Sequence, residues 1–255
     1  MTDPRILLTN DDGIDAPGLL ATRDALADYD VTVVAPTVAH DGASRSDTRG
    51  FGVSEHDLGY VVDGTPVDAV HFARTVLEPA FDLVVSGCDA GPNLGAHRLG
   101  RSGTVGAAIE AAHLGVPAVA CSLYDPAVGS REFERADFEP VGPTLRFLVE
   151  TVAAGGLPAA CDYLNVNVPA TEDAPLRATE PVHDFDVEIE RHADGYHARD
   201  RFYDPLAEGA VSDPVGTDRR AAADGEVSVS PLTVRQSTPA LEALEELLAG
   251  HGGGA

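Results

Sequence analysis

Lysine is missing altogether from the 255 residues, so all 17 basic side chains are arginine, and 42 acidic residues leave a formal net charge of −25. A chain this poor in cations offers no basic stripe, which argues against a nucleic acid polymer or an anionic membrane as partner. Self-repulsion of this size is a burden in dilute buffer, but in concentrated salt the screening length falls to about 3 Å. A halophile's cytoplasm is the expected setting. Nowhere do about 18 apolar residues run unbroken, and the opening "MTDPRILLTN" has neither a positive leader nor a long apolar stretch, so a soluble protein without a secretory signal is expected. Cysteine is scarce: Cys88, Cys121 and Cys161 are odd in number and far apart, unlike the paired spacing of a zinc site or a disulfide framework. Neither G-x-G-x-x-G nor the Walker spacing marks the glycine-rich loops, and an ATPase reading loses its support.

What is present is an alternation of short apolar runs and helical periods. "RILLT" (5–9), "APGLLATRDALADY" (16–29) and "VTVVAP" (31–36) give strand, helix and strand, a β-α-β unit that implies a parallel sheet with a right-handed crossover. Residues 51–63 read as a short edge hairpin. Helices are predicted over 66–77, 103–115 and 139–154, and strands over 81–87, 117–123 and 163–169. The pattern is that of a doubly wound α/β domain through about residue 170. Residues 171–224 are acidic and show no sustained period, yet "GEVSVSPL" (225–232) returns to strand-like alternation and "PALEALEELLAG" (239–250) to a capped helix, with a frayed "HGGGA" beyond. An ordered end implies an ordered middle, read here as an arm that packs on a partner subunit.

In an open parallel sheet ligands bind beyond the carboxyl ends of the strands, where three polar loops emerge, at 10–13, 37–50 and 86–104. The first, "NDDG", sets Asp11 and Asp12 side by side after a buried strand, with Gly13 for the turn and Pro17 near the next helix start. One aspartate is explained by loop amides or a helix cap; two adjacent carboxylates repel and lose solvation unless a cation offsets both costs. The third loop spaces Gly87, Gly91 and Gly95 four apart and runs through Ser102, Gly103 and Thr104 into a helix. Exposed amides and a helix dipole make a seat for phosphate there, and a flexible loop with an ordinary Ser cap is the other reading.

"ILLTNDDGIDAPGL", "GTPVDAV", "VVSGCDAGPNLG", "SGTVGAAIEAA", "LNVNVP" and "GEVSVSPL" follow one another in an order and spacing that resembles the stationary-phase survival protein SurE family, over nearly the whole chain. The resemblance implies a Rossmann-like fold and a metal-dependent phosphatase acting on nucleoside 5′- and 3′-monophosphates, sometimes on short polyphosphate. It also implies homodimers or homotetramers in which C-terminal segments, here 171–255, are exchanged. The family's paired aspartate ligands fall on Asp11 and Asp12. Its serine ligand falls on Asp41 by an ungapped count, with Ser44 and Ser46 nearby, and its asparagine ligand falls on Asp89.

Both departures replace a neutral oxygen donor by a carboxylate, which favours a hard cation, Mg²⁺ or Mn²⁺ with Ca²⁺ able to occupy the same donors, and disfavours an anionic substrate unless the metal, the loop amides or Arg98 and Arg101 compensate. In the mechanism implied, one ion per subunit activates a water, Asp11 or Asp12 orients or deprotonates it, and Asn93, Ser102, Gly103 and Thr104 hold the phosphate. His40 and His97 are candidate proton donors, and Phe51 or Tyr196 candidate base-stacking residues. An aspartyl-phosphate mechanism is disfavoured because Gly13, not an acid or base, stands two residues after Asp11. A metal- or nucleotide-binding protein that does not turn over is the alternative.

Overall fold

The computed structural model describes residues 3–40, 42, 44–125, 132–237, 245 and 248. In chain order its elements are β1 (Arg5–Thr9), α1 (Pro17–Ala25), β2 (Asp30–Pro36), β3 (Val53–His56), β4 (Gly59–Val62), α2 (Pro66–Val76), β5 (Leu83–Ala90), α3 (Ala96–Leu99), α4 (Gly103–His113), β6 (Ala118–Tyr124), α5 (Val141–Gly155) and β7 (Tyr163–Pro169). Then follow β8 (Leu176–Ala178), β9 (Val187–His192), β10 (Gly195–Asp200), α6 (Asp204–Ala207), α7 (Asp218–Ala223) and β11 (Val227–Leu232). The helix expected over 239–250 lies, but for two positions, outside the described residues.

Nine strands form one sheet in the order β3-β4-β2-β1-β5-β6-β7-β11-β8. From β4 to β7 all neighbours run parallel. β3 closes one edge as the antiparallel half of the expected hairpin. Such strands are covered on both faces, which is why "ILLT" and "VVAP" are uninterrupted apolar runs. On one face α1 and α5 bury Leu19, Leu26, Leu145 and Val149 against Ile6, Leu8 and Val33; on the other, α2 and α4 bury Val70, Ala73, Val105 and Ala108 against Leu7, Val34 and Val84. Helix α2 is opened by Pro66 and by a reciprocal cap in which the Thr65 amide donates to Asp68 Oδ2 at 2.8 Å and the Asp68 amide to Thr65 Oγ1 at 3.3 Å. Among the described residues no helix is long and apolar enough to cross a membrane.

The sheet does not end at β7. Strand β11 joins it antiparallel and β8 pairs parallel with β11, so parts of the stretch beyond residue 170 extend the main sheet. Strands β9 and β10 form a separate two-stranded sheet. The residues between β10 and β11 fold back: Phe202 and Ala222, with Val182 from the stretch between β8 and β9, pack with Leu94 and Tyr124 in a small third core. Because β2 and β4 lie to one side of β1, and β5, β6 and β7 to the other, the winding reverses between β1 and β5. The crevice at that reversal is where an open α/β sheet binds its ligand.

Candidate active site

β1 delivers the first carboxylates. After Thr9 the chain turns through Asn10, whose Nδ2 donates to the Gly13 carbonyl at 2.8 Å, and Gly13 completes the turn at φ 101°. The Asp11 carbonyl accepts from the His40 amide at 2.7 Å, tying the first loop to the second. Asp11 is buried, and Thr104 Oγ1 donates to its Oδ1. Helix α4 comes so near that a methyl group on Gly103 would lie 2.6 Å from Asp11 Oδ2 and 2.7 Å from its Cβ. The α4 N-terminus is thus built against the carboxylate, with Ser102 Oγ accepting from the Val105 amide at 3.1 Å as its cap.

β5 delivers the third. Ser86 pairs with Ala120 but Asp89 with Ser122, three steps along β5 against two along β6. This bulge re-aims the strand end and brings Asp89 to β1: one carboxylate oxygen from each of Asp11, Asp12 and Asp89 lies within 4.8 Å of the others. Burial, and then the charges of Asp11 and Asp12, push the Asp89 carboxyl well above the usual aspartate range. Three carboxylates gathered in this way are a hard-oxygen donor set that fits a divalent cation.

Asn93 holds Asp89. Its Nδ2 donates to Asp89 Oδ2 at 2.7 Å and to Ser122 Oγ at 2.9 Å, which commits both amide hydrogens. Its backbone is gripped in turn by two buried asparagines of β7: the Asn93 amide donates to Asn167 Oδ1 at 2.8 Å, and its carbonyl accepts from Asn165 Nδ2 at 2.8 Å and Asn167 Nδ2 at 3.2 Å.

The carboxylates open onto a cleft of 680 Å³ whose walls include Asp11, Asp89, Asn93, Arg98, Arg101, Ser102 and Tyr203. Of the sequence-predicted residues, Asp11, Asp89, Asn93 and Ser102 line it, Asp12 joins the carboxylate cluster, and Gly103 and Thr104 pack against Asp11, with the Thr104 hydroxyl serving Asp11 and the Asn93 amide serving Asp89. Asp41 lies outside the described residues. Ser44 Oγ donates to the Gly100 carbonyl at 2.5 Å, and the Ser46 carbonyl accepts from Thr65 Oγ1 at 2.7 Å. The His97 ring stacks on Phe185 at 3.6 Å between centroids. Phe51 packs against the core on the α2 and α4 side, and Tyr196 stands 72% exposed on the β10 strand, so neither lines the cleft.

Sequence reasoning missed Tyr203. Its hydroxyl donates to the Pro92 carbonyl at 2.6 Å. Around it, fully buried Asp218 accepts from the amides of Gly95 at 2.6 Å, Val182 at 3.0 Å and Arg219 at 2.7 Å, and Arg219 binds the carbonyl of the neighbouring Phe202 at 2.8 Å and Asp213 through two bonds at 2.6 and 2.8 Å. Polar contacts of this kind, between residues far apart in the chain, carry no local signal.

The family model for Survival protein SurE matches residues 6–186. The chain belongs to the SurE family. Proteins named 5′-nucleotidase SurE from Natronomonas pharaonis and Haloarcula marismortui are 46% and 44% identical to it; the alignments cover 95% and 97% of this chain and 97% and 95% of theirs. The crystal structure of the SurE protein from Aquifex aeolicus superimposes with a TM-score of 0.81 at 32% identity, covering 96% of this chain and 100% of that one. The family's α/β Rossmann-like fold is thus the fold of this chain.

A stability consequence follows from Asp89. A carboxyl whose pKa is higher in the folded than in the unfolded state favours folding below the unfolded value, about 3.9, and that contribution is lost as pH rises through the folded value. At neutral pH the metal-free protein therefore bears the cost of this group, either as repulsion from Asp11 and Asp12 or as a proton held against the solvent. Asp89→Asn, in EDTA and molar KCl, is expected to raise the melting temperature at pH 7 by about 2–4 °C per kcal/mol relieved, with the gain shrinking toward pH 4. An equal or lower melting temperature at pH 7 would contradict it.

Proposed function

We propose that the chain is a metal-dependent phosphatase that hydrolyses nucleoside 5′-monophosphates, and 3′-monophosphates or short polyphosphate less specifically, to nucleoside and phosphate. The observation that carries this is the meeting, at the reversal of the sheet, of three carboxylates with the N-terminus of α4 in one cleft. The relatives named 5′-nucleotidase support the substrate class.

Asp11, Asp12 and Asp89 hold the ion, Mg²⁺ or Mn²⁺, with Ca²⁺ suited to the same donors. A divalent ion supplies Lewis acidity there, drawing charge from phosphoryl oxygens and acidifying water. The amides at Gly103 and Thr104 and the helix dipole receive the phosphate, and Arg98 and Arg101 offset the negative charge that three carboxylates present to an anion. Asp12, less buried than Asp11, takes the proton of the attacking water. As the water oxygen bonds to phosphorus the ester P–O bond breaks, the leaving oxygen takes up a proton from solvent, and Asp12 returns to solvent the proton it took. Thr104 and Asn93 fix the orientations of Asp11 and Asp89 throughout.

The same reading divides the chain into a catalytic core, 1–170, and a segment, 171–255, exchanged within a homodimer or homotetramer. The exposed apolar residues of the β9–β10 ribbon, Val187, Ile189 and Tyr196, support an interface there. The net charge of −25 supports a cytoplasm rich in salt.

The test is phosphate release from a panel of nucleoside monophosphates by the purified protein in molar KCl, with EDTA, Mg²⁺ or Mn²⁺. Release that needs a divalent ion and stops in EDTA is expected. Folded protein inactive with either ion overturns the proposal in favour of a site that binds without turnover.

A further inference from the structure

Tyr203 is the one aromatic residue among the described residues that line the cleft. It stands just before α6, in the C-terminal part of the chain, while every carboxylate of the site comes from the ends of β1 and β5. Its hydroxyl is spent on backbone, donating to the Pro92 carbonyl at 2.6 Å and accepting from the Leu94 amide at 3.4 Å. Phe202 braces the ring edge-on, with centroids 5.0 Å apart and planes at 88°. Arg98 lies over the ring with its guanidinium carbon 5.6 Å from the centroid, and is itself held by Asp200 at 3.3 Å. A rigid aromatic ring with a planar cation over it therefore borders a cleft of 680 Å³, far more room than a phosphate group fills.

The Tyr203 hydroxyl, committed to backbone, is not placed for the chemistry at phosphorus. A braced aromatic ring beside a guanidinium offers a face to a flat, π-rich partner and donors to its edge. We propose that Tyr203, with Arg98 over its ring, is the platform on which the base of the nucleotide stacks, so that the C-terminal part of the chain sets substrate preference while the strand ends perform the reaction. This rests on the nucleotidase reading. A larger base covers more of the ring, so purine nucleotides are preferred over pyrimidine nucleotides.

The rival account makes Tyr203 only a staple for residues 92–94. Tyr203→Phe removes the staple and keeps the ring; Tyr203→Leu removes both. The readout is the ratio of kcat/KM for 5′-AMP to that for ribose 5-phosphate, which has the same phosphate and no base. Saturation-transfer NMR on the adenine protons of AMP with the wild-type protein accompanies it. The ratio is expected to stay within about twofold in Tyr203→Phe and to fall roughly fivefold or more in Tyr203→Leu, through KM, with the purine preference lost. Equal losses on both substrates, equal ratios in the two variants, or no loss at all overturn the platform. If the wild type hydrolyses ribose 5-phosphate as well as AMP, the phosphatase stands and the platform fails. Strong transfer to the adenine protons without turnover of either substrate leaves the platform standing and removes the nucleotidase; no transfer and no turnover removes both.

Discussion

Asp11→Asn is expected to yield a folded protein whose metal-dependent phosphate release from 5′-AMP is lower by on the order of 10³-fold. The exchange keeps the shape of the side chain, and the amide oxygen can still accept from Thr104 Oγ1. What it removes is one of the three charges that face a cation. Asp11 is also the neighbouring charge that raises the Asp89 carboxyl most, so the metal-free variant loses repulsion and should melt no lower than the wild type. Activity, unfolding in molar KCl and calorimetric titration with Mn²⁺ check the three parts separately. Activity within tenfold of wild type, with Mn²⁺ affinity unchanged, would remove Asp11 from the ion's donors.

The second large effect comes from a single methyl group. Gly103→Ala, at the first position of α4, looks favourable on helix propensity, since alanine for glycine is worth up to about 1 kcal/mol in a helix. The packing argument has the opposite sign and is the stronger. The new carbon would lie 2.6 Å from Asp11 Oδ2 and 2.7 Å from Asp11 Cβ, and the Cβ cannot swing away as a side-chain tip can. Either α4 or the turn after β1 must shift. Overpacking of this kind costs about 1–3 kcal/mol, and a displacement near 1 Å at reacting groups costs roughly 10²-fold in rate. Denaturant unfolding and kcat together read the outcome; a variant at least as stable as wild type with an unchanged kcat would show that α4 does not fix Asp11.

The core of the fold was legible because its forces are local in sequence. Buried parallel strands need continuous apolar runs, and "ILLT", "VTVVAP" and "ACSLY" supply them; amphipathic helices between them need a 3.6-residue period, and 103–113 and 141–155 supply it. The Asp11–Asp12 pair was legible for the converse reason, since two adjacent charges at the end of a buried strand have no packing explanation. β9 and β10 left no such trace: nearly every residue of both is exposed, so the alternation that marks a half-buried strand never arises. Nor could the sequence distinguish Tyr196 from Tyr203. Both sit in an acidic stretch, and only Asp218, Arg219 and the Pro92 carbonyl decide which one reaches the cleft. The bond from Asn93 to Asp89 was hidden similarly, because a glycine-rich loop gives no local sign of which carboxylate its asparagine touches.

Asp218 joins, by its two oxygens, the amides of Gly95 and Val182. One belongs to the loop that carries Asn93, the other to the strand-poor stretch after β8, and the aspartate itself lies more than a hundred residues beyond the loop it steadies. During synthesis the carboxylates of β1 and β5 are thus made long before the residue that secures the wall opposite them. A ribosome must therefore complete most of the polypeptide before the aspartate that joins Gly95 to Val182 exists, and the cleft takes its final shape late in synthesis.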